Sequence, residues 1–178
     1  MNLDRNPNIK PALDALRDNV GHSEFGYRVQ ALFAHALLGI GGTITEINQQ
    51  GHPDVKWAKD GQIYKFQVKS IFHQWSGGIL AVSSTDLAGI CPSCPDEVGY
   101  FAVLDCAFPV SWVLSGYSAI LRHQNSSVNI ETIRATANLE LSTEVSHTFS
   151  ELVVRHQDNL QLLSFSVLRN RALRNEPP

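Results

Sequence analysis

The stretch Gly51-His52-Pro53-Asp54-Val55-Lys56-Trp57-Ala58-Lys59-Asp60-Gly61-Gln62-Ile63-Tyr64-Lys65-Phe66-Gln67-Val68-Lys69-Ser70-Ile71 decides the fold. Its centre, Lys59-Asp60-Gly61-Gln62, is a hairpin signal, because Asp-Gly accepts the positive φ values of a two-residue turn. The flanks read as strands over 54–58 and 63–71, paired antiparallel. With a regular two-residue loop, partner numbers sum to about 121, which sets Asp54 opposite Gln67. Directly opposed residues share a face, with Cα atoms about 5 Å apart. Residues two apart on a strand also share a face, so Lys69 projects beside Gln67. The run from Tyr64 to Ile71 is otherwise largely apolar, so a wet Gln67–Lys69 face needs a reason.

A carboxylate and an amide oxygen at that separation can hold one hard cation. Mg²⁺ or Mn²⁺ takes oxygen ligands octahedrally and keeps several waters beside one or two carboxylates. Asp54, Gln67 and the backbone carbonyl of Val68 are the expected metal ligands. Glu24 is a further candidate, bound directly or through a water. Such an ion polarises a scissile phosphate and acidifies a bound water. Lys69 would orient that water and stabilise charge on the phosphorus. With Gln rather than an acid at position 67, one metal is expected in preference to two.

Working outward, Pro11 fits the first turn of a short helix carrying Leu13, Leu16 and Val20, which Gly21 ends. Ser23 reads as the N-cap of a second helix, with Glu24 in its first turn. Phe25, Val29, Leu32, Phe33, Ala36 and Leu37 recur at three and four residues, an amphipathic pattern running to about residue 38. Gly39, Gly41 and Gly42 stop it, and 43–47 alternates as a strand. Past the hairpin, a strand is expected over 79–82, and Ser83 or Ser84 caps a short helix through 90. Cys91-Pro92-Ser93-Cys94-Pro95 cannot be regular structure. Apolar strands are expected over 100–107 and 112–120, and a polar loop over 123–130. The stretch 131–146 stays open, and one helix is expected from about 150 to 173. Residues 1–9 are polar and expected to fray.

The runs Gly21-His22-Ser23-Glu24-Phe25, Gly51-His52-Pro53-Asp54-Val55 and Phe66-Gln67-Val68-Lys69-Ser70 together resemble the PD-(D/E)XK nuclease superfamily. Within it they look most like the Mrr-like and Holliday-junction-resolvase-like branches, in the QxK variant. The resemblance covers residues 21–71, and more faintly 100–107. It implies an α/β fold with a restriction-endonuclease-like αβββαβ core, a mixed central sheet and flanking helices. It further implies a metal-dependent endonuclease acting on DNA, in a defence or repair system. By the same resemblance Asp54 and Gln67 match metal ligands, Lys69 the catalytic lysine and Glu24 the helix glutamate. One domain is expected over 1–178, with the core at 21–120 and a C-terminal extension over 121–178. The stretch after residue 71, with Trp75-Ser76-Gly77-Gly78, departs from the helix that such a core should carry there.

The bulk composition bounds the partners. Hydrophobic residues are 43% and charged residues 17% of the chain, which is globular composition. The formal net charge of −3 argues against tight autonomous DNA binding, because phosphate neutralisation supplies most non-specific affinity. A homodimer, or a place as a subunit of a larger complex, would supply the missing positive surface. An inert PD-(D/E)XK-fold binding or assembly subunit is therefore the rival reading, and an RNA-directed nuclease the third. No apolar run is long enough to span a membrane and the N-terminus lacks a secretory signal. The odd count of three cysteines makes a reducing cytoplasm the expected compartment. Cys91-x-x-Cys94 with Cys106 and His123 allows a zinc reading, but only one paired knuckle exists. His52, Ser70, His73 and Gln74 flank the motif as polar surface, and His35 reads as a partly buried, satisfied histidine. Arg169, Arg171 and Arg174 are the one basic cluster, read first as a solvated helix end.

Overall fold

The computed structural model describes residues 7–178. The chain begins with α1 (Lys10–Val20) and α2 (His22–Ile40), then β1 (Thr43–Ile47), β2 (Val55–Lys59) and β3 (Gln62–Ile71). A turn of helix, α3 (His73–Ser76), precedes β4 (Ile79–Val82) and α4 (Ser84–Ile90). The strands β5 (Glu97–Asp105) and β6 (Ser111–Gly116) follow, then the short α5 (Tyr117–Ile120), β7 (Ser126–Asn129) and α6 (Ile130–Arg134). The chain closes with α7 (Leu139–His156) and α8 (Phe165–Leu173). The result is an α/β fold with a mixed five-stranded sheet, ordered β1-β2-β3-β5-β6, and a separate β4-β7 ribbon. Among the described residues only β3 and β5 run parallel, joined through α3, β4 and α4.

The hairpin forms in the expected register from Val55 to Lys59, whereas Asp54 lies just outside the ladder, its N–H on the Phe66 carbonyl, and is not paired with Gln67. Asp60 and Gly61 take φ of 51° and 79°, as a two-residue turn demands. Val55 faces Phe66 and Lys59 faces Gln62. Alternation along the strands then divides the apolar residues into two clusters. Val55, Trp57, Phe66, Ala102, Leu104, Trp112 and Leu114 join one cluster with α1, α2, α7 and α8. Ile71, Phe101, Val103 and Val113 join the other with α4, α6 and the small ribbon. Asp54, Gln67 and Lys69 belong by alternation to this second face.

Several expectations are corrected. The second helix is capped by Gly21, not Ser23, and its side chains are buried almost without interruption from Val29 to Leu37. It is not one-sided, because α7 and α8 cover the face that a surface helix would show to water. The expected strand 112–120 stops at Gly116 and turns into α5. The expected loop 123–130 contains β7, whose Val128 alone is buried, so its pattern was too thin to read. The expected single helix 150–173 is two helices. Asn138 caps α7 by accepting from the Leu141 N–H at 3.1 Å, and Ser164 caps α8 through the Val167 N–H at 3.2 Å. Residues 121–178 are not peripheral, for Val145, Phe149, Leu152, Val153, Phe165 and Leu168 enter the main core. Of the expected frayed stretch 1–9, the first six residues lie outside the described residues, while Ile9 is buried and opens α1.

The β6 edge is closed by side chains. The Trp112 N–H donates to Ser146 Oγ at 2.8 Å and the Leu114 N–H to Ser142 Oγ at 3.0 Å. These serines sit one turn apart on α7, so the helix satisfies an edge that would otherwise pair with another chain. Replacing both by alanine is expected to cost on the order of 1–3 kcal/mol for each N–H left without an acceptor. Equilibrium urea unfolding reads the loss, and light scattering reads self-association through the reopened edge.

Candidate active site

The β2–β3 ladder ends where the chain enters β2. The Asp54 N–H donates to the Phe66 carbonyl at 3.0 Å. Two residues further along β3, the Val68 N–H has no backbone partner on that side and donates instead to Asp54 Oδ2 at 2.8 Å. Backbone N–H and C=O of one strand residue point the same way, so the Val68 carbonyl faces the same gap. The segment before Asp54 is fixed from behind. Gln30 of α2 donates to the Asp54 carbonyl at 3.0 Å and also to the Asn48 carbonyl. Asn48 in turn holds the Pro53 carbonyl at 2.7 Å.

Two side chains absent from the expected set complete the cluster. Lys69 Nζ pairs with Asp86 Oδ2 of α4 at 3.1 Å. Asp86 is 7% exposed and sits in the first turn of α4, where the helix dipole favours negative charge. His52 Nδ1 lies 3.1 Å from Gln67 Oε1, which assigns the Nδ1 proton to a hydrogen bond with the amide oxygen. Gly89 makes the assembly possible: a Cβ there would overlap the His52 Cβ, so glycine lets α4 close on the His52–Asp54 segment. Burial raises the Asp54 carboxyl from its ordinary value to about 6. The Val68 N–H, Lys69 and His52 pull it back only in part, and Asp86 pushes it further up.

Asp54, Gln67, Val68 and Lys69 are thus brought together, and Glu24 is not. Glu24 forms an ion pair with Arg28 at 2.9 Å, and Arg28 also donates to the Gln161 carbonyl at 2.9 Å. His22, two residues before Glu24 and so about 200° around the helix, is the α2 residue that lines a cavity with Lys69. Asp86 carried no local motif, since an acid three residues after Ser83 is ordinary capping chemistry. Only the packing of α4 against β3 places it beside Lys69. Among the described residues no group of three His, Cys, Asp or Glu side chains gathers as a metal site. The oxygens available here are two carboxylates, one amide and one backbone carbonyl.

The remaining candidates fall elsewhere. Cys91 and Cys94 precede β5 while Cys106 follows it, buried. At about 3.3 Å per residue the strand holds them some 25 Å or more apart, which removes the four-ligand zinc reading. His73 and Arg134 both grip the buried Asp105, at 2.8 and 2.7 Å, and tie α3 and α6 to the end of β5. His35 is buried with Nε2 at 2.8 Å from the Leu168 carbonyl, and burial lowers its pKa. Arg169 donates to the Ile47 carbonyl at 2.8 Å and Arg174 pairs with Glu176 at 3.0 Å, so both are engaged within the fold.

The raised Asp54 pKa sets a pH signature for the metal-free protein. The folded chain holds this proton to about pH 6, whereas the unfolded chain releases it near 3.8. Stability from this group is therefore complete below the lower value and is lost as pH rises through the upper one. Asp54→Asn is expected to be more stable than the parent at about pH 8, by up to about 3 kcal/mol, with the gap closing below about pH 4. Chemical denaturation across pH in the presence of a chelator measures it. Comparisons with protein-family models, with curated proteins and with solved structures found no match.

Proposed function

We propose that the chain is a divalent-metal-dependent endonuclease that hydrolyses phosphodiester bonds, with DNA as the first substrate to test. The carrying observation is the gathering of Asp54, Gln67, Lys69 and Asp86 on one sheet face where β2 and β3 separate. The helix–three-strand–helix–strand order of α2, β1, β2, β3, α4 and β5 supports a restriction-endonuclease-like core. So does the placement of Pro53-Asp54 and Gln67-Val68-Lys69 across one hairpin.

The donor set fits a hard cation. Two carboxylates against one ammonium leave a net negative charge in a place where burial already holds the Asp54 carboxyl above its ordinary range. Asp54, Asp86, the Gln67 amide oxygen and the Val68 carbonyl would hold Mg²⁺ or Mn²⁺. When bound, the ion would supply Lewis-acid charge for the scissile phosphate and acidify a water. The chain's own residues do the rest. Val68 and Gln30 hold Asp54 from two sides, so its orientation is set before substrate arrives. His52 orients the Gln67 amide. Lys69, whose side chain is 36% exposed, can turn from Asp86 toward a phosphate oxygen and neutralise charge on the phosphorus. Glu24 remains a proposed ligand only at second hand, since it must first leave Arg28.

The rival is an inert binding or assembly subunit, favoured by the Lys69–Asp86 pair, which already occupies the lysine, and by the net charge of −3. In either case a homodimer or a larger complex would present the site to nucleic acid.

Plasmid and linear DNA, with RNA alongside, should be cleaved in Mg²⁺ or Mn²⁺. Asp54→Ala, Lys69→Ala and Asp86→Asn should each lose at least about a hundredfold in rate. Cleavage by Asp54→Ala and Lys69→Ala at the parental rate would remove the assigned site. Absence of Mn²⁺ binding by calorimetry would select the inert reading. Gly89→Ala changes no ligand yet wedges α4 from His52; it should weaken Mn²⁺ binding about tenfold or more with the far-UV circular dichroism kept.

A further inference from the structure

A large aromatic side chain stands open beside this site. Trp75 on α3 is 56% exposed, whereas Trp57 and Trp112 are 1% and 2% exposed. Exposure of one indole alone would mean little, but this ring is held in place. The Arg17 guanidinium lies 4.1 Å from its centroid and covers one face. The His22 ring meets it edge-on at 4.8 Å, and Phe72 meets it at 5.5 Å. Arg17 is itself buried and paired with Asp18 at 2.8 Å, which holds the guanidinium against the indole. Fixing a ring in advance removes the ordering cost that a ligand would otherwise meet.

The cavity in front of it joins the two functions. It holds about 280 Å³ and is lined by His22, Lys69, Ser70, Trp75 and Ile79 among others. Lys69, the proposed phosphate contact, therefore shares one recess with the open indole. A flat π-face, a nearby ammonium and an imidazole match one nucleotide: its base on Trp75, its phosphate toward Lys69.

We propose that Trp75 is a stacking platform for an unpaired base next to the scissile phosphate. The preferred substrate is then single-stranded, flapped or frayed nucleic acid in preference to continuous duplex. This rests on the nuclease reading of the same site. Bases inside a duplex keep their faces against their neighbours and cannot reach an indole on a cavity lip. An unpaired base offers its face freely, whatever its identity, and stacking on an aromatic side chain holds it without sequence readout. The charge balance favours the same class. A chain at −3 gains little from counterion release, and stacking supplies affinity that survives salt.

The test is a tryptophan-fluorescence and anisotropy titration of the full chain with short oligo(dT) and with a blunt duplex, in chelator so that nothing is cut. Oligo(dT) should quench the parent, because the other two tryptophans are buried. By anisotropy Trp75→Ala should bind oligo(dT) about tenfold more weakly and Trp75→Phe should keep close to the parental affinity; both lose the quench with the indole, and duplex binding should be alike in all three. Equal oligo(dT) affinity in Trp75→Ala, no binding at all, or binding without a quench in the parent would each overturn the platform. So would a concentration-dependent dimer that Trp75→Ala abolishes, since a second copy would then be the occupant. Cleavage with Mg²⁺ is scored separately. Quenching without cleavage overturns the nuclease reading and keeps the platform. Cleavage of single strands by Trp75→Ala at the parental rate and affinity overturns the platform and keeps the nuclease.

Discussion

The Val68 N–H reaches the Asp54 carboxylate at 2.8 Å at the point where the β2–β3 ladder runs out of backbone. A strand edge that loses its partner leaves N–H and C=O groups to be satisfied some other way. Here a carboxylate takes the N–H, and in doing so is drawn into a place where its charge is poorly solvated. That single substitution of side chain for backbone fixes Asp54 on the sheet and aims the neighbouring Val68 carbonyl into the same gap. It also leaves a buried acid whose proton is held to about pH 6. Everything proposed for the site follows from this junction.

Such a junction is costly to the bare fold and must be built from both sides. On one side Gln30, on the most buried helix of the molecule, holds the Asp54 and Asn48 carbonyls. On the other, α4 approaches closely enough to bring Asp86 to Lys69, which Gly89 permits by having no Cβ to strike His52. The two apolar clusters on opposite faces of the sheet hold these supports at fixed separation. The core thus sets the geometry, while the polar residues carry the cost.

The same arrangement accounts for where aromatic and cationic groups are spent. Arg17 backs the Trp75 indole, Arg28 holds Glu24, Arg134 neutralises Asp105, and Arg169 closes the end of β1. Each of these guanidinium groups is engaged by a neighbour within the fold. Lys69 differs in being paired with an acid that itself belongs to the proposed site.

The hairpin and its consequences were determined by sequence alone. Asp60-Gly61 dictates a two-residue turn, the turn dictates the register, and a side-chain period of two then puts Gln67 and Lys69 on the face of Asp54. These are local constraints, so local residues disclose them. The central sheet and α2 were legible for the same reason, through strong periodicity. The partition of α2 between two layers, the break between α7 and α8, and the pairing of β4 with β7 were not, because each depends on contacts between segments far apart in the chain. Asp86 is the plainest case. Its own neighbourhood reads as a capped short helix, and nothing nearby marks it as different from any first-turn acid. Only the parallel crossover from β3 to β5 lays α4 over the end of the hairpin, and that closure is a property of the packed molecule.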